Sequence, residues 1–244
     1  MTSTVKGPRC DFERCLELLQ SGNADGLRQF LDQNPAASEA CDATGVSLLM
    51  HSLYRGRRDL AELIASKKKA LDIFEATSLG RLDRLHECIR HTAAVSTRST
   101  DSCSIDSHSN DGFTALHFAC FFRQPEAAHL LIESGAAVDS VTANPLQLMP
   151  LHSAASARNL EAARLLLEHG APVNARQQKG WVPIHAAAQN GDRPMVDLLL
   201  KHQADPKLAN DDGKTPAMVA REKTHEEIAT LLDSLQSRLP SGPF

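Results

Sequence analysis

A chain of 244 residues with a formal net charge of −4 and a pI near 6.2 lacks the basic surplus that general nucleic-acid binding requires. Aromatic residues make up only 4% of it, so leucine and small residues must supply the core. With no apolar segment in Met1–Cys10, no run of 18 apolar residues and six cysteines scattered without a CxxC pair, neither signal nor membrane span is expected, and the thiols suit a reducing cytoplasm.

In chain order, a tail over 1–10 precedes two helices over Phe12–Ser21 and Ala24–Gln33, a pair suited to capping a stack. Gly45-Val-Ser-Leu-Leu-Met-His-Ser-Leu53 followed by Asp59-Leu-Ala-Glu-Leu-Ile64 predicts a second helix pair. Asp72-Ile-Phe-Glu-Ala-Thr-Ser-Leu-Gly80 followed by Asp83-Arg-Leu-His-Glu-Cys-Ile89 predicts a third. Gly22 and Gly56 are 34 residues apart, but Gly56 and Gly80 only 24. Both helices of the third unit are present, so what is missing is the hairpin that should project before it. From Ala76 to Ala119 is 43 residues, and the surplus falls in Ser96–Ser109, a Ser/Thr/Asp-rich stretch without apolar period, read as a flexible insertion loop. Units one to three thus occupy 11–95 and the insertion 96–109. Units four to seven occupy 110–234, ahead of a tail over 235–244.

The second half repeats itself openly. Thr114-Ala-Leu-His-Phe-Ala-Cys120, Met149-Pro-Leu-His-Ser-Ala-Ala155 and Val182-Pro-Ile-His-Ala-Ala-Ala188 are each followed by a Leu-rich run. His117, His152 and His185 lie 35 and 33 residues apart, and Met218 fills the slot 33 further on. In unit four a turn at Asn110-Asp-Gly-Phe-Thr114 leads to helices over Ala115–Phe122 and Pro125–Glu133. Pro125 and Pro194 open their second helices, where the missing N–H costs nothing, and Gly135 and Gly170 close theirs. Two extra residues between Gly135 and His152 enlarge the hairpin of unit five.

A period near 33 with a T-P-L-H-x-A core marks a helix-pair solenoid. On these motifs the chain resembles the ankyrin repeat family, and within it bacterial members, strongly over about 110–233 and loosely over 11–95. The resemblance implies an all-α ankyrin repeat solenoid of about seven helix-turn-helix units with short projecting β-hairpin turns. It also implies that hairpin tips and the last turns of the first helices line a concave binding surface. Carried over by position, the tips are Asn110, Asp111 and Phe113; Leu148; Lys179 and Trp181, beside Gln178; and Asp211, Asp212 and Lys214. The helix ends are Tyr54 and Arg55; Leu79, beside Ser78; Phe121 and Phe122; Ser156 and Ala157; Gln189 and Asn190; and Glu222 and Lys223. Gln147 stands where the turn Gly is expected, and Arg123 and Arg158 where the inter-helix Gly is expected.

Three histidines at one repeat position suggest zinc, but stacked helices sit about 10 Å apart, too far for shared ligation through bonds of about 2 Å. A structural role in bonding the neighbouring turn is the better reading. Cys120, three residues after His117, occupies the small-residue slot of Ala154 and Ala187 and reads as core. No phosphate loop, paired catalytic carboxylates or nucleophile turn is visible. The one Trp, the one Tyr and Phe113, Phe121 and Phe122 instead fall on displayed positions near Arg55 and Arg123, which is hot-spot composition. Charge is uneven as well: 51–91 holds nine Lys/Arg against six Asp/Glu, and 205–233 four against seven. The expectation is a cytoplasmic, monomeric, non-enzymatic module without cofactor, which binds a partner protein along the groove between units two and six and binds neither nucleic acid nor membrane. The alternative is a bacterial effector that uses the same surface on a host protein.

Overall fold

The structure, a computed structural model, describes residues 8–96 and 104–238. These form fourteen α-helices in seven consecutive antiparallel pairs. The pairs are α1 (Pro8–Gln20) with α2 (Ala24–Gln33), α3 (Leu48–Tyr54) with α4 (Arg58–Ala65), and α5 (Ile73–Leu79) with α6 (Leu82–Ser96). Next come α7 (Ala115–Phe121) with α8 (Pro125–Glu133), α9 (Pro150–Ser156) with α10 (Leu160–Glu168), α11 (Pro183–Asn190) with α12 (Arg193–Lys201), and α13 (Pro216–Glu222) with α14 (Glu226–Arg238). First helices stack on first helices and second on second, which gives a two-layer solenoid.

Local chemistry sets the boundaries. Asn23, Ser47, Asn159, Asp192 and Thr215 each cap a helix by accepting a bond from a backbone N–H three residues on. Asp72 and Glu75 form a full capping box on α5. Several expected bounds move. The first helix begins at Pro8, inside the expected tail, because proline is welcome in a first turn; α14 runs on to Arg238. Phe122 is the C-cap of α7 and not its last helical residue. Of the stretch expected as a loop over 96–109, Ser96 ends α6 and residues 97–103 lie outside the described residues. Ser104–Ser109 forms the first arm of the fourth hairpin: Asp106 accepts a bond from the Ala137 N–H at 2.9 Å, and Ile105 packs on the core.

The projecting turns are shorter than β-hairpins. One backbone bond between the arms closes each of four, Ser109 N–H to Phe113 O, Thr142 to Leu148, Gln177 to Trp181 and Asn210 to Lys214, and two close the first, Asp42 N–H to Val46 O and Leu48 N–H to Ala40 O, all within 3.0 Å. Among the described residues no strand forms; only Cys41 and Ser47 make a β-bridge, because arms this short cannot sustain a ladder. The fifth turn spans two residues more than the fourth, as its surplus requires. Nothing comparable projects between α4 and α5, where residues 66–72 pass directly from one helix to the next. Gln147, Arg123 and Arg158 hold left-handed φ of 51°, 57° and 56° at positions where sister turns have Gly112, Gly80 and Gly191. The solenoid geometry imposes the conformation even on side chains that resist it.

The core is not continuous. One buried cluster runs from Ala76 and Leu85 through Leu116, Leu131, Leu151, Leu166 and Leu199 to Leu232. A second joins Phe12, Leu27, Leu31, Leu49, Leu60 and Ile64, with Leu79 and Phe118 at its edge. The seam lies between units two and three, where α3 meets α5 over far fewer residues than α5 meets α7. It falls where the hairpin is missing.

Candidate protein-binding face

The turns form a row in which neighbours are bonded. Ala143 donates its N–H to Gly112 O at 2.8 Å, Gln178 to Leu146 O and Asp211 to Lys179 O, both at 3.0 Å. Between turns two and four, two side chains make the link instead. Asn110 Nδ2 donates to Gly45 O at 2.8 Å, and the Tyr54 hydroxyl donates to Asp111. One face of the stack is therefore bounded by this row and by the C-terminal ends of the first helices.

The structure sorts the expected face residues into exposed and buried sets. Phe121 is 47% exposed and Tyr54 40%, and Phe122 is half-buried between them: Tyr54 stacks on Phe122 with centroids 6.0 Å apart, and Phe121 meets Phe122 edge-on at 5.2 Å. Arg55 stands beside them, its guanidinium donating to His51 O at 3.1 Å. Asn110, Lys179, Gln189, Asp211 and Asp212 are exposed along the same face. Phe113 and Trp181 are half-buried on the histidines of their own units, at 6.1 and 5.3 Å, and Phe113 also packs on Phe118. Leu148 is half-buried, with its carbonyl used by His117. Asn190 ties unit six to unit five by donating to Ser156 O at 3.1 Å, and Lys214 pairs with Glu222 at 2.7 Å.

Leu79 corrects the expectation. It is 3% exposed and belongs to the N-terminal core, and neighbouring Ser78 is fully buried with its hydroxyl on Phe74 O. The end of this helix packs into the N-terminal core and does not line the face. Sequence reasoning also missed Val141 and Leu146, 42% and 43% exposed on the enlarged fifth turn. The two surplus residues were the available signal for them.

The histidine ladder is built into the stack. His152 accepts from the Met149 N–H at Nδ1 (3.1 Å) and donates from Nε2 to Ala175 O in the next turn at 2.9 Å. His117 does the same between Thr114 and Leu148 O, and His185 between Val182 and Lys214 O. Both ring nitrogens are spent, which leaves none for a metal. Burial pushes His117 and His152 down to about 4 and lowers His185, so all three are held neutral. The slot is Met50 in unit two, whose following hairpin is missing, and an exposed Met218 in unit seven. Cys120 is fully buried and its thiol is pushed up by that burial, as a core residue requires. In unit three the slot holds Glu75, which is 1% exposed, accepts from the Ser47 hydroxyl at 2.6 Å and pairs with Lys68 at 2.8 Å. Burial works against the Lys68 ammonium, but Glu75 and Glu39 outweigh it and hold its pKa above the usual range.

Comparison with known families matches residues 73–177 and 151–237 to a model described as ankyrin repeats (3 copies). The chain belongs to the ankyrin repeat family. The matched spans start at α5 and reach α14, leaving the divergent first two units to the structure. Ankyrin repeats are in general protein–protein interaction modules, a non-catalytic fold. No helix among the described residues of this ankyrin stack is long and apolar enough to cross a membrane.

Proposed function

We propose that this ankyrin protein is a non-enzymatic scaffold or adaptor, working as a cytoplasmic monomer without cofactor. It binds a partner protein along the turn-side face between units two and six. The observation that carries the reading is the aromatic patch of Tyr54, Phe121 and Phe122. Two of its three rings are substantially exposed although nothing in local helix formation requires an aromatic there. Leaving such rings partly in water forfeits a share of the about 1.5–3 kcal/mol that full burial is worth, which a partner recovers. Exposed Val141 and Leu146 extend the apolar surface along the turns, and Lys179, Asp211 and Asp212 give it the polar rim usual around an anchor cluster.

The test is Phe121→Glu. Phe121 has solvent on its outer side, so the charge needs no burial and helical circular dichroism should stay at the wild-type level. Partner capture should weaken by about 2 kcal/mol or more, the loss expected at an aromatic hot spot. A folded Phe121→Glu protein that captures the same partner at unchanged affinity refutes the assignment of this face.

A further inference from the structure

The loops that join first helices to second helices carry a charge that the aromatic patch does not account for. Over units two to five they read Tyr54-Arg-Gly-Arg57, Ser78-Leu-Gly-Arg81, Phe121-Phe-Arg-Gln124 and Ser156-Ala-Arg-Asn159, with five arginines and no carboxylate. Two of these are neutralised inside the chain: Arg57 pairs with Asp59 at 2.9 Å, and Arg81 pairs with Glu62. Arg55, Arg123 and Arg158 are exposed and have no ion-pair partner among the described residues. A cation near a helix C-terminus is locally favoured, and Arg55 fills that role by donating to His51 O at 3.1 Å. Arg158 donates to Asn190 O of the next unit. Arg123 does neither. Its side chain makes no hydrogen bond among the described residues, although its backbone holds the left-handed φ of 57° that sister loops leave to Gly56, Gly80 and Gly191. A guanidinium has several N–H donors, so Arg55 and Arg158 also keep donors for a further acceptor.

Position is an independent observation. Arg55 directly follows Tyr54, and Arg123 comes two residues after Phe121, so unpaired charge and exposed rings share one border of the turn-side face. This combination suits an acidic segment of a protein. A nucleic acid would bring continuous phosphates against Asp111, which is bonded to Tyr54 within the patch, and against Asp211 and Asp212 farther along the face. We infer that the partner presents an extended acidic segment, with an apolar side chain on Tyr54 and Phe121 and carboxylates on Arg55, Arg123 and Arg158. Stacked helices lie about 8–10 Å apart and an extended chain rises about 3.3 Å per residue, so one repeat corresponds to about three residues of the partner. Arg123 and Arg158 are one unit apart, and Arg55 and Arg123 two. The carboxylates are therefore spaced by about three and about six residues, with the apolar side chain inside the longer interval.

This inference rests on the turn-side face being a protein-binding surface, yet the two fail separately: Phe121→Glu interrogates the patch, and the charge of the ligand interrogates the arginines. The experiment is an amide chemical-shift titration of the full chain with the capped peptide Glu-Gly-Gly-Phe-Gly-Gly-Glu-Gly-Gly-Glu and with the same residues in reverse order. Peptides with glutamine or lysine in place of every glutamate serve as controls, as does a single-stranded oligothymidine of equal length. Saturable shifts are expected around Tyr54, Phe121 and Arg158 with one order of the glutamate peptide, with at least fivefold weaker binding for glutamine and none for lysine. Arg123→Gly should weaken that peptide about two- to threefold, the size of one exposed ion pair, without lowering the denaturation midpoint. A purely structural arginine would not give that combination. Arg55→Gln should weaken the peptide to a similar extent and leaves the Arg123 loop untouched. Equal binding of glutamate and glutamine peptides at these residues would overturn the inference while leaving the face intact as a protein-binding surface. Shifts confined to other residues, no saturable shift at millimolar peptide in either order, or tighter binding of the oligothymidine at the same residues would also overturn it.

Discussion

Acid should weaken this stack through its buried histidines, and the size of the effect follows from their geometry. His117 and His152 are 0% and 2% exposed, accept a backbone N–H at Nδ1 and are pushed by burial to about 4 from an unfolded value near 6.5. Protonating Nδ1 would set two N–H groups against each other and bury a charge. The unfolded chain therefore binds more protons than the folded one between the two values, and stability falls as pH drops through that window. Linkage gives a loss of roughly 2 kcal/mol per histidine between about pH 7 and about pH 5, or roughly 4 kcal/mol for the two. His185, lowered in the same direction, adds to this. A full loss of that size is a large share of the 5–15 kcal/mol that folded domains typically hold. Urea unfolding of the wild type and of His152→Gln at both pH values measures it. The glutamine variant should be less stable at neutral pH but should lose about 2 kcal/mol less on acidification. A wild type whose stability changes by less than about 1 kcal/mol over this interval, or an unchanged pH slope in the variant, would refute the buried neutral ladder.

Lys68→Met should destabilise the protein by about 3–5 kcal/mol by leaving Glu75 charged and buried, whereas Lys68→Met with Glu75→Leu should recover much of the loss; equal losses in both unfolding curves would mean the pair is not buried as described. The divided core should make the first two units open ahead of the rest, so hydrogen exchange should be faster in α3 and α4 than in α9 and α11. Uniform protection across these helices would contradict the seam. Arg123, exposed and held at φ 57°, makes Arg123→Gly a stabilising change of about 1 kcal/mol, read as a higher denaturation midpoint; a lower midpoint would mean the side chain contributes more than its backbone costs.

The sequence alone carried the repeat, because the 33-residue spacing of His117, His152 and His185 and the turn residues between them are local features that each unit states separately. It located the missing third hairpin by counting from Gly56 to Gly80, and it gave the histidines their structural role because one repeat position cannot gather three rings around one ion. It could not separate Leu79 from Phe121. Both close the first helix of a unit, yet one is 3% exposed in the N-terminal core and the other 47% exposed, because what each meets is set by the neighbouring units. The bonds of Asp106 to Ala137 and Ile105 to the core were hidden in the same way, since a polar stretch looks unstructured until its partners one unit away are in place. Nor could spacing foresee that Glu75, in the histidine slot, would turn back to Ser47 and Lys68. Periodicity fixes where each helix lies in its own repeat. What a side chain meets depends on the neighbouring repeat, and where the period breaks only the tertiary structure supplies that neighbour.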